Sequence, residues 1–243
     1  MRYLDLTLPT AEENLALDEA LLEEAEAAGR PTQVLRLWEP ERPAVVVGRS
    51  SKLDEEVRRD ACRAHGVPVL RRASGGAAVV AGPGCLMYAV VLSYARQPAL
   101  RMVSHAHQLV LETLAEGLRR LVPEVGRRGI SDLAVGGLKF SGNSVRSKRE
   151  HLLYHGTLLY DFPLQWISRY LKMPPRRPDY REDRPHAEFV TNLPLDGPSL
   201  RQAVLDAWGA DEPAGDWPRE RTARLVAQKY GRAQWHEGRM KGV

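Results

Sequence analysis

The period of the apolar positions changes repeatedly along the chain. Over residues 10–28, Leu15, Leu17, Leu21 and Leu22 recur near helical spacing. Thr10 can cap that segment, and Glu13, three residues on, completes a capping box. Gly29-Arg30-Pro31 ends it. Residues 33–38 then alternate and 44–47 are continuously apolar. These are two β-like runs split by the turn formers Glu39-Pro40-Glu41-Arg42-Pro43. The spacing predicts a second helix over 54–65, with Leu53 and Val57 inward and Gly66 as its stop. A strand over 67–72 runs into Ala73-Ser74-Gly75-Gly76 and resumes over 77–81. After Gly82-Pro83-Gly84, residues 86–93 form a strongly apolar strand. Residues 103–121 form an amphipathic helix with Leu109, Leu114, Leu118 and Leu121 on one side.

Short strands follow over 133–135, 138–141, 145–147 and 152–160, joined by Gly-containing turns as a meander. A short helix over 165–171, a Pro/Arg-rich loop over 172–182 and closing helices over 199–207 and 219–230 complete the pattern. An early helix, central strands in meander order and late helices argue for α+β rather than a doubly wound parallel sheet. The 243 residues are enough for one substantial core and short for two, so residues 1–243 are expected to form one main domain.

Composition narrows the function classes only a little. Apolar residues at 43% and charged residues at 27% place the chain among ordinary globular domains and exclude bulk disorder. A net charge of +4 favours an acidic partner or an anionic substrate weakly. No dense Lys/Arg run with interleaved aromatics indicates nucleic acid. Two cysteines, Cys62 and Cys85, exclude a disulfide framework and a four-cysteine zinc site, and a reduced, cytoplasmic setting is expected. The start of the chain lacks a signal-peptide pattern and no apolar stretch approaches membrane-spanning length, so no membrane partner is expected.

Three runs carry candidate chemistry. In Arg71-Arg72-Ala73-Ser74-Gly75-Gly76-Ala77-Ala78-Val79-Val80, two cations precede paired glycines inside a strand-like stretch. Glycines let the backbone approach a ligand, and free N–H groups beside Arg can cradle a phosphate or carboxylate. A glycine bulge with surface arginines reads equally well. In Gly137-Leu138-Lys139-Phe140-Ser141-Gly142, Lys139 and Ser141 share a strand face. A lysine fixed on a rigid strand can bridge an acid and a triphosphate, and a solvent-facing lysine is the plainer reading. In Tyr154-His155-Gly156-Thr157, His155 is either a site residue or a buried, hydrogen-bonded histidine.

Taken in order, these runs resemble the lipoate–protein ligase A family of the biotin/lipoate ligase superfamily. Its pattern is Arg-Arg-x-Ser-Gly-Gly-Gly-Ala-Val, then Asn-Asp, a loop and Gly-x-Lys-x-Ser-Gly-x-Ala, then His-His-Gly-Thr-Leu-Leu. This chain matches with the run from Arg71, with Ser131-Asp132 followed by Gly137-Leu138-Lys139-Phe140-Ser141-Gly142, and with Tyr154-His155-Gly156-Thr157-Leu158-Leu159. Asn14-Leu15-Ala16-Leu17-Asp18-Glu19 and Lys229-Tyr230 with Trp235 extend the similarity over nearly the whole chain. The resemblance implies a mixed or antiparallel sheet flanked by helices, as in class II synthetases and biotin ligases. It implies activation of lipoate or octanoate by ATP, with Mg2+ on ligands not named by the sequence. The acyl-adenylate would then be passed to a lysine of a lipoyl domain, in a 2-oxoacid dehydrogenase or the glycine cleavage H protein. By the same resemblance Lys139 is the catalytic lysine. Arg72 with Ser74, Gly75, Gly76, Ala77, Ala78, Val79 and Val80 holds the adenylate. Asp132 lies near the nucleotide, Ser141 and Gly142 belong to the lysine motif, and His155 lines the acyl site.

The chain departs from the pattern at Ala77 for the third glycine, at Ser131 for Asn, and at Asn143-Ser144 after the Ser-Gly pair. Larger family members carry an accessory C-terminal domain for which 243 residues leave no room, so a separate accessory-domain protein or different acyl chemistry stays open. Octanoyl and lipoyl transferases of the same fold carry the acyl group on a cysteine. In the related transferases that thiol precedes the Asp132 motif, where Gly129-Ile130-Ser131 offers none. A non-catalytic lipoyl-adenylate binder or adaptor is a third reading, against which Lys139 argues.

Overall fold

The computed structural model describes residues 1–238. The last five residues of the single domain expected over 1–243 lie outside the described residues. Strand β1 (Arg2–Asp5) leads into helix α1 (Ala11–Ala27), then β2 (Val34–Trp38) and β3 (Ala44–Val47). Two short helices, α2 (Leu53–Glu56) and α3 (Arg59–Ala64), precede β4 (Val69–Arg71), β5 (Val79–Ala81) and β6 (Cys85–Ser93). Helix α4 (Val103–Arg119) is followed by β7 (Gly126–Arg128), β8 (Asp132–Val135), β9 (Leu138–Ser147) and β10 (His151–Leu159). The remainder comprises α5 (Gln165–Tyr170), a 3-10 turn at Asp179–Arg181, α6 (His186–Phe189), α7 (Gly197–Ala207) and β11 (Glu212–Pro213). Helix α8 (Arg219–Leu225), a turn of π-helix at Val226–Tyr230 and α9 (Ala233–His236) close it. Among the described residues no helix is long and apolar enough to cross a membrane.

Eight strands form one mixed sheet in the order β11-β1-β2-β6-β10-β9-β8-β7, and β4-β3-β5 form a second, smaller one. In the large sheet β11, β1 and β2 run parallel, and every pairing from β2–β6 onward is antiparallel. This is the helix-flanked α+β arrangement expected from the sequence. Strand β6 shows why a central strand reads as one apolar run. Leu86, Tyr88, Val90 and Leu92 pack toward α4 and α7, while Cys85, Met87, Ala89 and Val91 face α1 and the small sheet. Both faces of the strand are covered, so both of its side-chain registers are apolar.

Thr10 caps α1 as the sequence implies, with its side chain accepting from Glu13 and Glu13 reaching back to the cap. Strand β2 alternates for a different reason from a solvated edge. Arg36 is fully buried against α1, where it bonds Asp18 Oδ1 at 2.5 Å and the Asn14 carbonyl at 2.8 Å. The helix expected over 54–65 is broken. Val57 is extended and bridges Leu171, and the Lys172 N–H donates to the Glu56 carbonyl at 2.9 Å. Pairing with a distant segment outweighs local helix propensity here. The two strands expected over 138–141 and 145–147 are one ten-residue strand, β9. Its neighbour must be glycine, because a Cβ on Gly156 would sit 1.9 Å from Asn143 Oδ1.

Candidate active site

Between β4 and β5 the chain curls around its own arginines. Arg71 is 2% exposed, and its Nη1 donates to the carbonyls of Gly48, Arg49 and Ser51 at 2.8, 3.0 and 2.9 Å. Arg72 donates to Ser74 Oγ at 3.1 Å and to the carbonyls of Val46, Gly75 and Ala77 at 3.1, 2.5 and 2.9 Å. Burial holds its guanidinium down to about 10, still a cation at neutral pH. Both arginines are thus spent inside the protein, Arg71 bracing the Gly48–Ser51 segment and the carbonyls of Trp235 and His236, and Arg72 bracing the Gly-rich loop. They are not the surface groups of a plain glycine bulge. Gly76 has φ +86°, and a Cβ on Gly48 would lie 2.0 Å from the Gly76 carbonyl, so the two glycine segments pass in backbone contact.

Beyond this loop lies a cavity between β5, β9, β10, α5 and α6. Val79, Leu159, Ile167, Leu171 and Phe189 make its apolar wall, and Lys139, Lys172, Arg181 and His186 bring cationic or basic groups to it. Ala77, Ala78, Val80, Ser141 and Gly142 also line it. Lys139 lies across Gly142, whose missing side chain makes the room: a Cβ there would be 3.1 Å from Nζ. The ammonium pairs with Asp132 Oδ1 at 2.7 Å, from the neighbouring strand β8. Tyr180 donates to the other oxygen of Asp132 at 2.9 Å. Asn143, one of the departures from the family pattern, ties the Ser131 carbonyl and Ser141 Oγ together, each at 2.9 Å. Ser144 bonds the Gly75 carbonyl at 2.8 Å and so joins β9 to the Gly-rich loop.

His155 stands outside the cavity lining. It is 6% exposed, its Nε2 meets Ser74 Oγ at 2.5 Å, and its Nδ1 faces Asp18 Oδ2 at 3.5 Å. The buried chain Arg36–Asp18–His155–Ser74 supports the Gly-rich loop from behind, which is the hydrogen-bonded reading of this histidine. Arg72, Ser74, Gly75, Gly76 and Asp132 likewise lie behind or beside the cavity. Five residues not singled out from the sequence complete the site: Glu56, Lys172, Tyr180, Arg181 and His186. Glu56 accepts from the Ala78 N–H at 2.6 Å because the break after α2 turns it inward. Arg181, 3% exposed, stacks over the Phe189 ring at 4.6 Å. Burial lowers the His186 pKa, which favours a neutral imidazole. The one signal for four of them was the Pro/Arg-rich stretch they occupy or adjoin.

Neither cysteine opens onto this cavity. Cys85 is fully buried at the start of β6, and burial, reinforced by Glu39, pushes its thiol far above the ordinary value. Cys62 is 2% exposed within α3, and burial raises its thiol too.

The profile of the lipoyl protein ligase A/B catalytic domain matches residues 10–200. The chain belongs to this family. All three motif runs and the whole cavity lie inside the matched span. A putative lipoate-protein ligase A of Aeropyrum pernix is 37% identical over 147 residues, 60% of this chain and 52% of that protein. Lipoate–protein ligase 1 of Staphylococcus aureus is 27% identical over 248 residues, 97% of this chain and 72% of that one. An octanoyltransferase, LipM of Kyrpidia tusciae, is also similar, 26% identical over 92% of this chain and 93% of that protein. The chain spans about half the length of several relatives it matches, the Aeropyrum pernix protein among them. Among solved structures, a bi-partite lipoate protein ligase from Thermoplasma acidophilum superposes with a TM-score of 0.82 at 21% identity, covering 100% of this chain and 98% of that one. A lipoate-protein ligase A bound with ATP superposes with a TM-score of 0.83 at 23% identity, covering 98% and 99%. The lipoyl protein ligase fold is therefore this chain's fold.

Proposed function

We propose that this protein is a lipoate–protein ligase. It joins lipoate or octanoate to ATP as the acyl-adenylate, then passes the acyl group to a lysine of an acceptor lipoyl domain. The observation that carries this reading is the cavity itself. It is lined by apolar side chains and by Lys139 and other basic groups, and has no thiol facing it among the described residues. An apolar acyl tail fits the apolar lining and an acid fits its basic groups. In the first step a carboxylate oxygen of the acid attacks the α-phosphorus of ATP and pyrophosphate leaves. Lys139 would offset charge on the acid and phosphate as they approach. In the second step the acceptor amine attacks the acyl carbon and AMP leaves. The acceptors in view are lipoyl domains of 2-oxoacid dehydrogenases or the glycine cleavage H protein.

Magnesium is expected with the nucleotide. Such an ion keeps several waters and needs only one or two protein carboxylates beside the phosphates. Glu56 is the acidic side chain that lines the cavity, and the ion would neutralise phosphate charge. No group of three or more metal-ligating side chains gathers among the described residues, which suits an ion brought by phosphate rather than a protein cage. A separate accessory-domain protein belongs to the reading as well, since the similar ligase from Thermoplasma acidophilum is itself bi-partite. A cytoplasmic setting, where free acid and ATP meet, completes it.

The rival reading is the transferase, favoured by the octanoyltransferase relatives and opposed by the burial of both thiols. Purified protein incubated with apo lipoyl domain and either acid plus ATP and magnesium, or preformed lipoyl-adenylate, separates them by intact mass. We expect one acyl amide on the acceptor, retained in Cys62→Ser/Cys85→Ser. An ATP-independent product from an acyl thioester donor, with an acyl adduct on Cys85, would replace the ligase by the transferase. Failure even from the preformed adenylate would sink the ligase reading.

A further inference from the structure

We propose that Tyr180 is a positioning residue that sets how tightly Asp132 holds Lys139. The proposal rests on Lys139 being the lysine that must reach the acid and the phosphate. Asp132 is 6% exposed, and the structure gives its carboxylate two side-chain partners. Lys139 Nζ takes Oδ1 at 2.7 Å and the Tyr180 hydroxyl takes Oδ2 at 2.9 Å. For Lys139 to work on a substrate it must leave that ion pair. A buried carboxylate stripped of every donor is costly, so a carboxylate with one partner would hold its lysine hard. The tyrosine hydroxyl disperses the carboxylate charge beforehand and stays in place when the lysine departs. It therefore lowers the cost of the lysine's movement rather than adding contact with substrate.

The placement of Tyr180 supports this use. Its ring packs on Phe189 with centroids 5.1 Å apart and lies beside Gly129, where a Cβ would come within 3.3 Å of the ring. The hydroxyl is thus anchored from two sides. Burial and the neighbouring Asp132 push the phenol far above its ordinary range, so it remains a donor at any working pH. Arg181, the next residue, lines the cavity. The 3-10 turn that carries both thereby links the cavity wall to the counterion of the lysine.

Tyr180→Phe keeps the ring and removes only the donor. Two measurements test it. In pyrophosphate release with acid and ATP, kcat is expected to fall about tenfold while the KM for acid stays within twofold. In labelling with an amine-acylating reagent, read by peptide mass spectrometry and needing no activity, Lys139 is expected to react at least threefold more slowly than in wild type. Both effects should vanish in an Asp132→Ala background, where Lys139 labels faster with or without the tyrosine hydroxyl. Asp132→Asn replaces that background should the alanine variant not fold. Wild-type or faster labelling of Lys139 in Tyr180→Phe would overturn the proposal. So would the full loss in kcat persisting without the Asp132 carboxylate. If wild-type protein releases no pyrophosphate, the functional reading is what fails, and the labelling still decides the role of Tyr180.

Discussion

In the proposed reaction Lys139 stands between two states, paired with Asp132 as the structure shows it and freed to meet an acid and a phosphate. Its side chain is 29% exposed and contributes little packing, so Lys139→Ala should fold. Removing a preorganised charge from a reacting centre typically costs about 10²–10³ in rate. Pyrophosphate release should fall by that order, with only a modest drop in Tm as Asp132 loses one of two partners. Release at the wild-type rate would remove Lys139 from the chemistry. At this scale the lysine was legible because its strand, its glycines and Ser141 surround it in sequence. His155 was legible as a special histidine but not in its role. The residues that claim it, Ser74 and Asp18, are 81 and 137 positions away. Tyr180 was not legible at all, since a tyrosine in a Pro/Arg-rich stretch carries no local mark of the carboxylate it meets.

Among the elements, α1 is the one whose start the sequence marks best, because a capping box is a contact between residues three apart. Losing such a cap costs about 1 kcal/mol (range ~0.5–2). Thr10→Ala should therefore lower Tm by about 2–4 °C in a domain of this size, with unchanged activity per folded molecule. An unchanged Tm in thermal denaturation would mean the cap contributes nothing. The helix expected over 54–65 failed for the opposite reason. Residues 54–65 do have helical spacing, but Val57 and Arg58 pair with the segment around Tyr170 and Leu171, over a hundred residues on. That break is also what aims Glu56 into the cavity. Strands β1, β7 and β11, of four, three and two residues, were missed because such short runs hold too few alternations to register a period.

Across the whole molecule, charge and closure matter more than any one motif. Exposed Arg127, Arg128, Arg176 and Arg177 flank the turn at Gly129 and the Tyr180 segment, and Ile130 between them is 77% exposed. With a net charge of +4, this rim suits an acidic acceptor. Transfer to the apo lipoyl domain should then slow several-fold between about 0.01 and about 0.15 M salt, as the Debye length shrinks from ~30 to ~8 Å. A rate flat across that range would remove steering from the account. The end of the described chain is tied back to the site as well. Lys229 is buried against Glu19 of α1 at 2.7 Å, and Trp235 donates to the Arg71 carbonyl at 2.7 Å. The sequence by itself determined the α+β class, the central apolar strands, the first helix and its cap, and the lysine motif with its glycines. Each of these is written in periods or contacts a few residues long. Only the tertiary structure decided that Arg71 and Arg72 turn inward, that His155 stands behind the loop, and that Tyr180 shares Asp132 with Lys139. These depend on which buried donor meets which acceptor after distant segments have packed, and local periodicity holds no record of that pairing.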